Sequence, residues 1–562
     1  MHVFSAIPAP KSRRIACLFV LACVTNSALA VGCKVAQAHT PDDAEQAYLR
    51  GDYDRAATLY QQQLQQKAND PELTVGLAQT LLKQQKVKAA DDLVQKTLLA
   101  HPDSVPLLTA LAEVQYREGT PWLVAGTADK AMKLDPCYAK LRLIEARMLS
   151  LSSYYASAAM QLRTAHALDP NDPDIRLHWF NTLPRDQRIA ELESYLAAPT
   201  GADPKEIAQQ RSYLESLKKE AAGPPKACRL VSPVDSTSVD FISLMEDGRN
   251  RKAFGLATKL NDHTARLEID TGATGLLISR SVAERAGLKR FSDETVGGIG
   301  SEGDKTSYSA YADDIKIGAL EFRDCQVEVL DKRSVVDMDG LIGMDTFASF
   351  LVTLDYPMRK LILGPLPKRP EDVAPRTPTL NTASTSGGDA AASGGSTPAP
   401  DAGAKPAPRG PKDRYVAPEM QDWTKVYRLG HDLMLPVALN NISQKLFILD
   451  TGAFATSISP EAAREVTKVR TDDLTWVKGI SGRVDKVYSA DKINFKFAHL
   501  SQDVEDVVSF DTSNLSKDLG LDVSGLIGIT ALGQTTMSID YRDGLVKFSF
   551  DAHRGYTSSA FR

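Results

Sequence analysis

Leu267-Glu268-Ile269-Asp270-Thr271-Gly272-Ala273 returns 180 positions later (450 − 270) as Phe447-Ile448-Leu449-Asp450-Thr451-Gly452-Ala453. In both stretches an apolar strand runs into an acid, a hydroxyl and a glycine. A carboxylate at the end of a hydrophobic strand stands where burial makes ionisation costly. It is tolerated when hydrogen-bond donors surround it or when a second acid shares its proton. The glycine permits a tight turn that brings backbone N–H groups towards the carboxylate, and the threonine hydroxyl is short enough to brace that turn.

The echo extends well beyond the tripeptide. Val296-Gly297-Gly298-Ile299-Gly300 is followed 181 positions on by Val477-Lys478-Gly479-Ile480-Ser481-Gly482. Gly340-Leu341-Ile342-Gly343 and Val352-Thr353-Leu354-Asp355-Tyr356 recur as Gly525-Leu526-Ile527-Gly528 and Met537-Ser538-Ile539-Asp540-Tyr541, each 185 positions later. Four landmarks in one order, drifting by five residues, read as an internal duplication of a whole domain.

Ahead of the duplicated part, basic Lys11, Arg13 and Arg14 precede the apolar run from Ile15 to Val24 and the small triplet Ala28-Leu29-Ala30. Residues 1–30 therefore read as a secretory signal, too short to span a bilayer. The alternative is lipid attachment at Cys33, since Ala30-Val31-Gly32-Cys33 is similar to a bacterial lipoprotein box. Either way an exported protein is expected, periplasmic or extracellular, touching membrane only through such a lipid. The 562 residues exceed what one core supports, and a 43% apolar share fills several. A net charge of −5 without a basic tract argues against nucleic acid. The nine histidines lack metal-ligand spacing, so neither metal nor cofactor is expected. Outside the signal, Cys33, Cys137, Cys228 and Cys325 remain; a Cys228–Cys325 disulfide and isolated thiols are equally open readings. Cys325 sits in an apparent strand and reads as core, not as a nucleophile.

From 42 to 222 the period is helical. Prolines at 71, 102, 136 and 170 close successive units, the last two intervals being 34 residues. Leu49-Arg50-Gly51-Asp52-Tyr53, Leu134-Asp135-Pro136 and Leu168-Asp169-Pro170 resemble tetratricopeptide repeats, which implies a helical solenoid whose concave face takes peptides or partner proteins. Residues 185–222 read as capping helices; a plain helical spacer is the rival. Residues 235–365 and 421–552 alternate with period two and carry glycine turns, as all-β domains do. Residues 366–413, rich in proline, alanine, glycine and serine and without an aromatic, read as a flexible linker.

Each β copy resembles half of a retropepsin-type aspartic peptidase. The resemblance rests on the Asp-Thr-Gly-Ala turns, the glycine-rich Gly297-Gly298-Ile299-Gly300 and the paired Leu-Ile-Gly strands. It implies two all-β halves sharing one site, with Asp270 and Asp450 as a catalytic dyad around one water. Thr271 and Thr451 would brace the loops and Gly272 and Gly452 admit the carboxylates. The hairpins at Gly297, Gly298, Ile299, Gly300, Gly479 and Ile480 would be flaps over a peptide or protein substrate. Trp476, ahead of the second flap, either shapes the cleft or packs under its own hairpin. The expected fold is thus an all-α repeat solenoid followed by two all-β domains, and the expected activity an aspartic endopeptidase with a repeat domain that recruits substrate or partner. The alternatives are a non-catalytic peptide-binding scaffold, or copies active only as homodimers between chains.

Overall fold

Positions 51, 85, 119 and 153, spaced by 34 residues, share one backbone state: φ is +77° at Gly51, 61° at Gln85, +65° at Gly119 and 63° at Ser153. In this computed structural model, which describes residues 32–37, 39–197, 203–222, 228–245, 251–331, 339–370 and 412–550, each of the four is the left-handed turn inside a helix pair. The pairs are Asp43–Leu49 with Tyr53–Gln66, Pro71–Lys83 with Val87–Ala100, Val105–Arg117 with Pro121–Leu134, and Ala139–Leu151 with Tyr155–Leu168. Asp42, Asp52 and Asp70 accept N–H bonds from the first turns that follow them, fixing where those helices begin. Small residues and aromatics interleave between neighbouring pairs, as Ala44, Ala56, Tyr60, Leu77, Ala78 and Val94 do in one apolar cluster.

Three further helices, Pro173–Phe180, Arg185–Ala197 and Pro204–Ala222, complete the array. The start of the last returns to the first units: Tyr53 donates its hydroxyl proton to Asp203 at 2.7 Å, and Lys83 pairs with Glu206 at 3.2 Å. Part of the repeat surface is therefore engaged by the chain itself. The leader expected at 1–30 lies outside the described residues, as does the 366–413 linker apart from its ends.

The β-rich part forms two large sheets and one that joins them. Residues 229–343 build a nine-stranded sheet, and residues 427–527 a ten-stranded one. Corresponding strands pair alike. His263–Asp270 lies parallel to Gly340–Gly343, which runs antiparallel to Leu276–Ser279. Ser443–Leu449 lies parallel to Gly525–Ile527, which runs antiparallel to Ser457–Ile458. A six-stranded sheet interleaves both regions: Leu351–Asp355 pairs with Thr536–Asp540 (Leu354 opposite Met537), flanked by Lys360–Gly364 and Thr237–Asp240 on one side and by Leu545–Ser549 and Thr424–Lys425 on the other. Strands from both β regions thus close this sheet together.

The helical array is built onto the second β region. Ala112, Tyr116, Val124 and Ile144 share an apolar core with Met434, Leu446, Ile448 and Leu526. The Asp522 N–H donates to the Arg117 carbonyl at 2.8 Å, and Ser157 donates twice to the Asp413 carboxylate. Two disulfides, Cys33–Cys137 and Cys228–Cys325, tie extended segments to the repeats and to the first sheet. In this arrangement the Cys33 sulfur is bonded to that of Cys137.

Candidate active site

The strand His263–Asp270 buries Leu267 and Ile269 and ends at Asp270, which is 8% exposed. Ser443–Leu449 buries Phe447 and Leu449 and runs into the part-buried Asp450, whose N–H donates to the Ile527 carbonyl at 3.1 Å. The two loops meet. Thr271 N–H donates to Thr451 Oγ1 and Thr451 N–H to Thr271 Oγ1, both at 3.0 Å. Each hydroxyl then donates across to the opposite strand end, Thr271 to the Leu449 carbonyl at 2.7 Å and Thr451 to the Ile269 carbonyl at 3.1 Å. Four buried bonds of about 1 kcal/mol each lock the halves in register.

This brace turns the two carboxyls towards one point: a Cβ at position 272 would lie 3.1 Å from Asp450 Oδ1 and 3.3 Å from Asp270 Oδ1. A Cβ at position 452 would lie 2.6 Å from Asp270, and one at 272 would lie 3.0 Å from Asp450, so the carboxyls fit only because both positions are glycine. Burial raises both acids above the ordinary carboxylate range. Asp270 is raised well above it, pushed further by the charges of Asp450 and Glu268, while the Gly272 N–H at 2.7 Å works the other way. Asp450 is raised less firmly, because the N–H groups of Ala453 and Gly452, each at 2.9 Å, favour its ionised form.

The two glycine-rich segments meet each other. Gly297, Gly298, Ile299 and Gly300 connect the strands Lys289–Val296 and Lys305–Ile317; Gly479 ends the short strand Lys478–Gly479, and Ile480 turns towards Gly482–Arg483. Their tips are bonded to each other. Ser481 N–H donates to the Ile299 carbonyl at 3.0 Å, Glu302 N–H to the Ser481 carbonyl at 2.9 Å, and Gly298 N–H to Ser481 Oγ at 3.1 Å. Ser301 N–H reaches the Arg483 carbonyl at 3.1 Å, and Glu302 Oε1 accepts from the Arg483 N–H at 3.2 Å. Ile480 packs with Leu277, Leu330, Leu341 and Ala273 of the first region, and Ile299 with the core holding Val484 and Ala453 of the second. Trp476 is 60% exposed, so it does not pack beneath its hairpin.

Sequence reasoning passed over Ser301, Glu302, Ser481 and Arg483; small and charged residues at a hairpin tip were the available signal. It also passed over His431, whose Nε2 lies 3.1 Å from the Gly272 carbonyl. Among the described residues, no group of three or more His, Cys, Asp or Glu side chains is placed to hold a metal ion.

Comparison with known proteins bears on both parts of the chain. The aspartyl protease family model matches residues 256–346, and a tetratricopeptide repeat model matches residues 47–114. DNA damage-inducible protein 1 of Neurospora crassa is 24% identical over 196 residues, which are 31% of this chain and 43% of that protein, so less than half of that relative's length is spanned. Among solved structures, a thermophilic TPR protein of Thermus thermophilus is similar with 23% identity and a TM-score of 0.26, covering 31% of this chain and 95% of that one. The chain carries an aspartyl protease domain around Asp270 behind tetratricopeptide repeats, and is protease-like at the level of the family.

Proposed function

We propose that the protein is an aspartic endopeptidase whose single site is formed by two copies of one β unit, with Asp270 and Asp450 as the catalytic pair. The observation that carries this reading is the convergence of the two carboxyls beneath the reciprocal threonine brace. Like charges this close cannot both ionise, so the pair holds one proton. Asp450, with two N–H donors, is the carboxylate that takes a proton from an attacking water as its oxygen bonds to the scissile carbonyl carbon. Asp270 gives its proton to the carbonyl oxygen, forming a neutral diol. Collapse of the diol expels the amine, which takes the proton gained by Asp450, and the diol proton returns to Asp270. Because both acids lie in one chain, the reading favours a single-chain site over homodimers between chains.

The wider setting is proposed with it. Two disulfides fit an exported protein, since such bonds persist in oxidising compartments. The concave face expected of such helical repeats would be the place for a substrate or partner segment. The test is cleavage of an unstructured protein substrate from acid to neutral pH by the unaltered chain and by D270N and D450N. Each substitution is expected to remove activity by on the order of 10⁴-fold. Half the activity surviving in either one means two separate sites. No cleavage by the unaltered chain, with peptide still bound, means a scaffold.

A further inference from the structure

Each turn that carries an acid leads into an apolar cluster, and the two clusters are built alike except at one place. Leu277, Leu330 and Leu341 of the first β region pack with Ala273, Val296 and Ile480, the last from the opposite hairpin tip. In the second region Phe510 and Leu526 belong with Ala453, Val477 and Ile299, again with the isoleucine from the opposite tip. Strand register shows what stands in place of Leu277. Leu341 lies opposite Leu277, and Leu526 lies opposite Ser457. Directly opposed residues share one face of a sheet, so Ser457 stands on the face of Leu526, while Ile458 beside it joins the core on the other. Ser457 is 3% exposed, and among the described residues its hydroxyl has no hydrogen-bond partner.

The contrast continues one strand further out. Across Val508, Ser489 is likewise buried and unpartnered among the described residues. In the first region the equivalent Ser309, across Glu328, accepts from Gln326 Nε2 at 2.7 Å. The first wall is satisfied within itself and the second is not. A buried hydroxyl without a partner is costly, and folded proteins keep few of them.

We propose that Ser457 is a specificity-determining residue: its hydroxyl bonds a threonine or serine side chain of the substrate, while the pocket at Leu277 takes an aliphatic side chain on the other side of the scissile bond. The inference rests on the two-copy reading of the site and names its substrate class. An extended peptide presents its side chains to alternate sides, so one lying across the two acids offers a side chain to each wall. Ile299 and Ile480 mark the size of the side chain that fits. Threonine keeps the shape of valine and adds the donor and acceptor that Ser457 lacks. A site built around a hydrogen bond rejects an analogue of equal shape without it, which a purely apolar pocket cannot do.

The test is a library of decapeptides with valine or threonine at each position in turn on a leucine–alanine background, cleaved by the full-length chain and by S457A and S457T, with the products sequenced. At one position kcat/KM is expected to favour threonine over valine by about tenfold in the unaltered chain and in S457T, and to show no preference in S457A. A position on the other side of the bond is expected to favour valine in all three. S457A is also expected to melt about 2 °C higher, because a methyl replaces an unpaired hydroxyl. No preference for threonine at any position, a preference that survives in S457A, or a lower melting temperature of S457A overturns the proposal. Should the unaltered chain cleave nothing, the peptidase reading falls, and the same library is read by retention on the immobilised chain. Threonine enrichment that S457A loses leaves this inference standing, and no enrichment overturns it too.

Discussion

The loops that carry Asp270 and Asp450 share Asp-Thr-Gly-Ala and the reciprocal threonine bonds, and differ in what surrounds them. Asp270 follows Glu268, receives one backbone N–H, and is followed by Thr274, whose hydroxyl donates to Asp345 at 2.8 Å. Asp450 has Ile448 at the corresponding place, receives two backbone N–H groups, and is followed by Phe454, 57% exposed. The hairpins differ too, strands of 8 and 13 residues facing strands of 2. A site made by two identical chains must keep both halves equal until substrate arrives. Here the inequality is covalent: the two carboxyls have different backbone donors from the outset.

Substitution at the two glycines should break this comparison most severely. A methyl at 452 meets the Asp270 carboxyl at 2.6 Å, whereas one at 272 meets Asp450 at 3.0 Å. G452A is expected to lower kcat by about 10²-fold through misplacement of the pair, and G272A by less, in steady-state cleavage assays. Equal losses would show that the loops yield alike.

At the threonines the halves should instead behave as equals. T451A strands the Thr271 N–H and the Ile269 carbonyl; T271A strands the Thr451 N–H and the Leu449 carbonyl. Each is expected to cost about 2–4 kcal/mol in denaturant unfolding, because two buried bonds go with each hydroxyl. A difference much above 1 kcal/mol would mean that one half leans on the brace more than the other.

The smallest effect should come from Glu268, and it has a definite sign. Its charge raises Asp270, so E268Q is expected to let Asp270 ionise sooner and to move the alkaline limb of kcat/KM down by about half a pH unit. The stability linkage follows the same sign. Both acids are raised on folding, so their contribution is complete below the ordinary carboxylate value and is lost as pH climbs through the raised one. E268Q narrows that range at its upper end, which thermal melts across the same pH series would show.

What could be read from the residues follows how local each feature is. The Asp-Thr-Gly turns, the Leu-Ile-Gly strands and the glycine-rich hairpins are stretches of a few residues whose chemistry repeats, and these stretches do converge. The repeat period was harder to see. Prolines 71 and 102 are 31 apart, while the regular 34-residue mark is a backbone angle carried by Gly51, Gln85, Gly119 and Ser153, four positions with only partly similar side chains. Contacts across long separations left no local trace. Cys33 with Cys137, His431 with Gly272 and Ser481 with Ile299 depend on how sheets and helices stack, which no short motif encodes. The joint sheet is illegible for the same reason: a strand such as Leu351–Asp355 looks alike whether its neighbour belongs to its own unit or to another.

That interleaved sheet carries a consequence for how the molecule behaves at trace amounts. Peptidases put together from two separate subunits fall apart on dilution and need a threshold abundance before they work. Here the seam is sewn within one polypeptide, and joining the parts is a matter of loop closure, indifferent to how many other molecules are present. Turnover per molecule should therefore stay level from micromolar stock to the scarcest solution an assay can follow.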